Sequence, residues 1–260
     1  MVQSDELTNF ITQTLGSDLL AKAAQIDTAP NGVQIKGADD VSGVALGVSC
    51  SQAFIDQAIK QKANYLICHH GLNPDHVVKN GRFDFIQSRL ELLFRHHLTL
   101  AGYHYALDAH PTLGNNAVII SKLGAKRLPE PYFGSWGWVG EFIKPQPIKI
   151  IVQRAAKIFQ HEVYRVLSGP KLVKRLGVCS GGARPHLHEL FEIIDNRIDL
   201  HLTGEISESS PHQAEAGHFH YLACGHYATE VFGVQALAQK IKTHFGRRLT
   251  VAFIDIPSTL

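Results

Sequence analysis

Short, continuous apolar segments alternate with amphipathic segments along most of the chain. The apolar segments 44–48 (VALGV) and 65–68 (YLIC) have the length and composition of strands in a parallel sheet that is covered on both faces. Between them, SQAFIDQAIKQK places Phe54 and Ala58 at helical spacing, and residues 4–15 repeat that period. A strand, a helix and a strand in succession predict a right-handed crossover between parallel strands.

The same alternation continues on both sides of a segment with a different composition. Residues 127–147, RLPEPYFGSWGWVGEFIKPQP, are rich in proline, glycine and aromatic residues, which indicates a domain junction or a hairpin. We therefore predict an α/β protein with mostly parallel sheets. Its first domain is expected over residues 1–127, completed by 226–260, and its second domain over residues 128–225.

Composition and charge are those of an ordinary globular protein. Hydrophobic residues make up 45% and charged residues 18% of the 260 residues, which is enough apolar material for a substantial core. The formal net charge is +2 without a long run of either sign, so neither nucleic acid nor an anionic membrane is favoured as a partner. The first residues lack the features of a secretory signal, and no apolar stretch reaches the length of a membrane span. We expect a cytoplasmic protein.

The four cysteines are scattered along the chain and form no CxxC pair. They are Cys50, Cys68, Cys179 and Cys224, and each closes a short apolar run. Free cysteine commonly behaves as a small hydrophobic residue, so we predict reduced, buried thiols. A thiol at the end of a strand beside a metal site could instead be a ligand or a redox site, and the sequence leaves that alternative open.

Histidine is over-represented, with 16 copies, and several copies fall at the ends of predicted strands. In open α/β sheets, ligands bind outside the carboxyl ends of the strands, so the residues at those ends are the ones to compare. Three such ends each present two groups that can bind a metal: His69 with His70, His104 with Asp108, and His226 with Glu230. His226 and Glu230 lie one turn apart if a helix begins there, whereas the sequence leaves open whether His104 and Asp108 converge.

Structural roles remain an alternative for each of these residues. A single histidine at a strand end is more often a hydrogen-bonded core residue than a ligand, and the pair His96-His97 shows that two adjacent histidines alone indicate little. Glu205 also follows a strand, where it could contact a substrate or be solvated. The SGGA turn at residues 180–183 could offer backbone N–H groups to a phosphate, or it could be a plain glycine-rich turn.

Three segments resemble the signature blocks of a known family. LICHHGL, YHYALDAHPTLGNNAVI and GHYATEVFGVQAL are similar to those of the GTP cyclohydrolase 1 type 2 homologs, the Nif-three-like family. The resemblance implies two interlinked α/β domains, a dinuclear metal centre in the cleft between them and a ring-shaped (toroidal) homohexamer. It also implies a set of metal ligands and places His104 at a further polar position of that site. The implied ligands are His69, His70, Asp108, His226 and Glu230.

The chemistry of these ligands is consistent with two divalent ions per subunit. Nitrogen and carboxylate ligands without thiolate suit Fe, Mn, Zn or Ni, and a carboxylate such as Glu230 can bridge two ions ~3.5–4 Å apart. The first hypothesis is a metal-dependent hydrolase of a nucleotide-like or other phosphorylated small molecule, in which His104 relays protons. The second hypothesis is a non-enzymatic metal-delivery or regulatory protein. We also expect the apolar region 132–139 to favour self-association.

Overall fold

The computed structural model describes residues 2–73 and 80–258. The strands are β1 (Val2–Gln3), β2 (Asn31–Ile35), β3 (Asp40–Val41), β4 (Gly43–Ser49), β5 (Tyr65–His70), β6 (Thr99–Tyr103), β7 (Lys126–Tyr132), β8 (Gly137–Pro147), β9 (Tyr164–Leu167), β10 (Leu172–Val178), β11 (Leu200–Thr203), β12 (His220–Ala223) and β13 (Thr250–Phe253). The helices are α1 (Ser4–Leu15), α2 (Ser17–Ile26), α3 (Gln52–Lys60), α4 (Gln87–Arg95), α5 (Tyr105–Ala109), α6 (Asn115–Leu123), α7 (Ile148–Phe159), α8 (Leu187–Asp195), α9 (Ser210–Gly217) and α10 (His226–Phe245), followed by a 3₁₀ turn at Gly246–Arg248.

The chain divides into two compact units. Unit one comprises Met1–His110 and Gly233–Ile256, and unit two comprises Pro111–Phe232 and Pro257–Leu260. Helix α10 begins in unit two and ends in unit one. Strands and helices alternate in both units, which confirms the predicted α/β class.

Unit one is built on a five-stranded sheet in the order β13-β4-β5-β6-β2. The pairs β13–β4, β4–β5 and β5–β6 are parallel, whereas the edge strand β2 is antiparallel to β6. A small antiparallel pair, β1–β3, lies outside this sheet. Buried side chains of α3, α4 and the central strands, among them Phe54, Leu66 and Leu93, form one apolar cluster. This cluster fixes the central strands and therefore the positions of the residues at their ends.

Unit two contains a six-stranded mixed sheet in the order β7-β8-β10-β11-β12-β9. The pairs β10–β11 and β11–β12 are parallel, whereas β7–β8, β8–β10 and β12–β9 are antiparallel. The segment predicted as a junction or hairpin is the β7–β8 hairpin. Because β7–β8 and β8–β10 are antiparallel, this sheet is mixed. The expectation of mostly parallel sheets is therefore met in unit one and not in unit two.

The two ends of the apolar region 132–139 are packed inside unit two. Tyr132 and Val139 are fully buried, in a cluster with Ile193, Phe219 and Tyr221. The two ends of the region therefore pack within unit two, whereas Phe133, Trp136 and Trp138 are only half-buried, and self-association of the chain stays a prediction. Helix α2 is a second difference, since the sequence pattern did not predict it. Only Ala23 is buried on α2.

Parallel strands bring their carboxyl ends to one edge of each sheet. In unit one, β5 ends with the pair His69-His70, and β6 ends at Tyr103, directly before His104. In unit two, β11 ends just before Gly204 and β12 ends just before Cys224. The strand ends therefore gather chemically active side chains in each unit, as expected for α/β sheets. None of the helices in the described ranges combines the length and apolar composition needed to cross a bilayer.

Candidate metal centre

Three histidines and one aspartate converge at the carboxyl edge of the unit-one sheet. Ring nitrogens of His69, His70 and His104 all lie within 4.8 Å of one another. The ring centroids are 4.7 Å apart for His69–His70 and 4.9 Å apart for His69–His104. Asp108, at 5% exposure, places Oδ2 3.5 Å from Nε2 of the fully buried His69. The short helix α5 carries Asp108 back towards the strand ends, so His104 and Asp108 both reach His69.

The two adjacent histidines are oriented by contacts at Nδ1. Nδ1 of His69 lies 3.1 Å from the carbonyl oxygen of Tyr103, and because a carbonyl can only accept, Nδ1 carries the proton. In the neutral ring, Nε2 then presents its lone pair on the side of Asp108. Nδ1 of His70 lies 3.2 Å from Oγ of Ser49. Adjacent strand residues point to opposite faces, but both rings reach the same edge because His70 is the last strand residue.

His104 is held by the buried carboxylate of Asp27. Both carboxylate oxygens lie 3.1 Å from Nδ1 of His104, and the Asp27 side chain is 3% exposed. Asp27 also accepts from the backbone N–H groups of Ala29 and Tyr105 and from the Asn31 amide. Burial alone would raise the pKa of Asp27, but the hydrogen bonds and charge of His104 together with the backbone donors lower it. Asp27 therefore stays ionised and fixes the direction of Nε2 in His104.

A second group forms at the carboxyl edge of the unit-two sheet, around the start of α10. Nε2 of His226 lies 3.2 Å from Oε1 of Glu230, one turn further along the helix, and Glu230 is 2% exposed. Nδ1 of His226 donates to Oε1 of Glu205 at 2.6 Å, and Oε2 of Glu205 pairs with Arg184 at 3.0 Å. The hydrogen bond with Glu230 raises the pKa of His226 to about 9, against the effect of burial and with further help from Glu205. A metal ion at Nε2 would replace the proton there.

The SGGA turn forms one side of this second group. Gly181 adopts a positive φ of 65°, and its N–H donates to Oγ1 of Thr229 at 3.0 Å. Its carbonyl accepts from the N–H of Gly204 at 2.9 Å. A Cβ atom at Gly181 would collide with Oε1 of Glu230. The turn therefore approaches Glu230 as closely as only glycine permits.

The two groups have the composition of metal-binding sites. Each supplies imidazole nitrogen and a buried carboxylate. In each group one histidine, His69 or His226, has its Nδ1 held by a protein oxygen while its Nε2 faces that carboxylate. Histidine ligands in proteins characteristically have such a hydrogen-bonded partner on the second nitrogen. Nitrogen with carboxylate oxygen suits Fe, Zn, Mn or Ni better than Ca or Mg.

The sequence profile of Duf34/NIF3 (NGG1p interacting factor 3) matches residues 5–259. The chain belongs to this family. Two relatives are named GTP cyclohydrolase 1 type 2 homolog, from Yersinia pestis and from Escherichia coli (strain K12). The first is 34% identical over 259 residues, which cover 96% of this chain and 98% of the relative. The second is 32% identical over 262 residues, which cover 99% of both chains.

Solved structures show the same Duf34/NIF3 fold. The structure of protein ybgI, described as of unknown function, has a TM-score of 0.84 and 31% sequence identity, with 100% of both chains covered. The structure of TTHA1606 from Thermus thermophilus has a TM-score of 0.81 and 28% identity, again with 100% of both chains covered. The resemblance noted from the three signature blocks is therefore confirmed at the level of family and fold.

Several residues that orient the candidate ligands were missed or left open by the sequence analysis. Nothing local in the sequence indicates that Asp27 bonds to His104, 77 residues away. Arg184 gave no signal, and Glu205 had been left between a substrate contact and a solvated residue. In the structure Glu205 orients His226 instead. The pair His96-His97, which served as the example that adjacent histidines alone indicate little, lies in a turn after α4.

Proposed function

We propose that the chain binds two divalent metal ions per subunit through His69, His70, Asp108, His226 and Glu230. The observation that carries this proposal is the arrangement of the histidine rings, whose Nδ1 atoms are held by protein oxygens. Nε2 of His69 lies beside Asp108, and Nε2 of His226 lies beside Glu230. The donor set fits Fe, Zn, Mn or Ni. Bound divalent ions would supply Lewis-acid polarisation and water activation near neutral pH.

We further propose that the metal-loaded protein hydrolyses a nucleotide-like or other phosphorylated small molecule. His104 is the group suited to hold and move a proton at Nε2, because the ionised Asp27 fixes its ring at Nδ1. Arg184, with its side chain 47% exposed beside Glu205, offers further guanidinium N–H groups to an anionic substrate. GTP is the first compound to test because relatives carry the name GTP cyclohydrolase 1 type 2 homolog.

Elemental analysis of purified variants tests the metal proposal. We expect about two ions per chain in the wild type and a loss of most bound metal in the variant His69→Ala/His70→Ala, because two ligands are removed together. The matched control is the double variant His96→Ala/His97→Asn, which changes the chain's other adjacent histidine pair. Asn is chosen at position 97 because His97 has a φ of 49°, where Asn is tolerated better than Ala. Equal metal content in the two variants would remove His69 and His70 from the ligand set.

Metal exchange separates the hydrolase from the alternative, a non-enzymatic metal-delivery or regulatory protein. A hydrolase should retain its metal for hours against a weak chelator and release product from GTP or from a compound in a panel of phosphorylated metabolites. A delivery protein should lose its metal within minutes and leave the panel unchanged. His104→Gln refines the test, since it should reduce hydrolysis while leaving the metal content unchanged. Rapid metal loss without turnover would overturn the hydrolase proposal and leave metal binding intact.

A further inference from the structure

A cavity of about 450 Å³ lies in unit two, where the end of α6, strand β8 and helix α7 meet. Its volume is within the range of roughly 300–1,000 Å³ that small-molecule sites occupy. Three of the residues that line it are cations, Lys122, Lys144 and Arg154, and no acidic residue of the described ranges lines it. None of the candidate metal ligands belongs to the lining. It is therefore a separate cavity with a positively charged lining.

These three cations have no counter-ion within the described part of the chain. Glu141, the acidic residue directly before the lining segment of β8, pairs with Lys174 at 3.1 Å instead. The carboxyl end of α6 lies at the cavity, and the helix dipole contributes about half a negative charge there. Three positive charges exceed that contribution, so the lining keeps a net positive charge that a bound anion would neutralise.

The carbonyl groups of the lining segment of β8 are already bonded to protein donors. Nζ of Lys174 donates to the carbonyl oxygen of Phe142 at 2.8 Å and to that of Ile143 at 3.3 Å. Nε2 of Gln146 donates to the carbonyl oxygen of Lys144 at 2.9 Å. Because each of these carbonyls has a donor, an anion in the cavity meets less repulsion from this segment.

The guanidinium group of Arg154 is held in place by two contacts. Nη1 donates to the carbonyl oxygen of Leu123 at 3.0 Å, and Nη2 lies 3.5 Å from Oε1 of Gln146. A guanidinium has several further N–H donors, and these remain for a ligand. Gly124 adopts a φ of 86°, and a Cβ atom there would lie 3.4 Å from Nη1 of Arg154. A guanidinium fixed in this way loses less conformational entropy when it binds an oxyanion than a free side chain does.

We propose that this cavity binds a small multivalent phosphate, with diphosphate as the simplest case, through Lys122, Lys144 and Arg154. A planar guanidinium matches two phosphate oxygens, and lysine ammonium groups bind phosphate as point charges. A phosphate chain carries several charges over a short length, so it can contact cations from three elements at once. Leu123 and Phe142 are almost fully buried and offer little apolar surface, so the anion is the part that the cavity recognises. The proposal does not depend on the proposed metal chemistry.

Lysine acetylation followed by mass spectrometry tests the site on the wild-type protein. Lys122 and Lys144 are exposed, and so are Lys149 and Lys171, two lysines of unit two outside the lining. Sodium diphosphate at about ten times its dissociation constant should slow the acetylation of Lys122 and Lys144 about tenfold, because the bound anion covers their ammonium groups. Lys149 and Lys171 should react at unchanged rates. Unchanged rates at all four lysines, or equal slowing at all four, would overturn the proposal.

The diphosphate concentration that halves the acetylation rate of Lys122 measures the affinity of this cavity, whatever binds elsewhere on the protein. Lys144→Gln should raise that concentration about tenfold or more, because it removes one charge-assisted contact. The matched control Lys149→Gln, which removes an exposed charge outside the lining, should leave it unchanged. Equal values for the two variants would remove Lys144 from the site and overturn the three-cation arrangement. Inorganic phosphate should require a concentration about tenfold higher than diphosphate, and equal concentrations would overturn the preference for a multivalent anion.

Diphosphate also binds metal ions, so the same measurement is made on the variant His69→Ala/His70→Ala. Protection of Lys122 and Lys144 should persist there, because the cavity contains none of the candidate metal ligands. Loss of protection in this variant, with the fold intact by circular dichroism, would show that the anion acts through the metal centre and would overturn the proposal. Absence of metal in the wild type would overturn the proposed function and leave the protection of both lysines as the test of this cavity.

Discussion

At the scale of single residues, the carboxylates near the candidate ligands have two different roles. Two of them orient histidine rings, and one is expected to bind both of the proposed metal ions. Asp27 and Glu205 contact Nδ1 atoms of histidines, which places them behind the rings. Glu230 instead lies at Nε2 of His226, on the side where a ligand atom is needed. Its carboxylate is buried against Gly181, in a position where a negative charge is costly unless cations compensate it. Glu230 is therefore the strongest candidate for a bridge between two cations.

Glu230→Gln should reduce the metal content to at most one ion per subunit and abolish hydrolysis. The amide keeps the size of the side chain but removes the charge that offsets repulsion between two cations. His226→Ala should be milder, because it removes a ligand of one ion that water can replace. Inductively coupled plasma analysis of both variants, purified identically, measures this difference. Two ions per subunit in Glu230→Gln, or a larger loss in His226→Ala, would make Asp108 the better candidate for the bridge.

At the scale of elements, the strand ends and the turn after β10 position these side chains. Gly181 is fixed by Thr229 and Gly204 and supports the carboxylate of Glu230 by direct contact. The next residue, Gly182, is different. A Cβ there would lie 3.6 Å from the Glu205 carboxylate, which is ordinary van der Waals contact, and its φ is not in the left-handed region. Two adjacent glycines in one turn therefore have different tolerance for a side chain.

Gly181→Ala should lower metal content at the unit-two ligands, whereas Gly182→Ala should retain it. The methyl group at position 181 displaces Glu230 and adds about 1 kcal/mol of backbone strain at positive φ. Elemental analysis with a thermal melt of both variants measures the two effects. The Gly182→Ala variant controls for the general cost of removing a glycine from the turn. Equal metal content in the two variants would show that Gly181 does not position Glu230.

How far the sequence predicts the structure depends on whether the signal is local. The continuous apolar runs of β4 and β5 and the helical period of α1 are local, and each was predicted close to its observed bounds. Helix α2 was missed because Gly16 is the only residue between it and α1, so no loop in the sequence marks where it begins. The mixed order of the second sheet depends on which strands pair, which periodicity does not encode.

The candidate site follows the same rule. The strand-end positions of His69, His70 and His226 can be read from the sequence because strand ends are local features. The partners that orient them cannot, since Asp27 and His104 are 77 residues apart and Glu205 and His226 are 21 apart. The burial of Tyr132 also depends on distant residues, its partner His201 among them. An apolar segment alone does not show which surface covers it.

At the scale of the whole molecule, we expect a homohexamer, as the family resemblance implies. The single chain leaves large apolar side chains exposed, among them Phe85 at 82% and Leu187 at 72%, and such exposure favours association. Light scattering at micromolar concentration should give a mass about six times the 28.7 kDa of the chain. A mass near 28.7 kDa would contradict the prediction.

The stability of unit two should depend on pH through His201. This side chain is fully buried, accepts from the Tyr132 hydroxyl at Nδ1 and donates from Nε2 to the carbonyl of Ala183, which is the pattern of a neutral ring. Burial lowers the pKa of His201 to about 4, and the bond to Ala183 only partly offsets this. In the unfolded chain the pKa is about 6.5. Below pH 6.5 the unfolded state therefore binds a proton that the folded state does not.

His201 should contribute about 3 kcal/mol of stability at pH 7, lost progressively as the pH falls from about 6.5 to about 4. Urea unfolding with a chelator present measures it, and tryptophan fluorescence reports unit two alone because Trp136 and Trp138 both lie there. The Gln side chain of His201→Gln does not titrate, so between pH 7 and pH 4 the free energy of unfolding of this variant should fall by about 3 kcal/mol less than that of the wild type. The control His212→Gln, at an exposed histidine, should follow the wild type. Parallel pH profiles for the wild type and His201→Gln would contradict the prediction. They would mean that the folded state protonates His201 as readily as water does, in spite of the burial of the ring and its two hydrogen bonds.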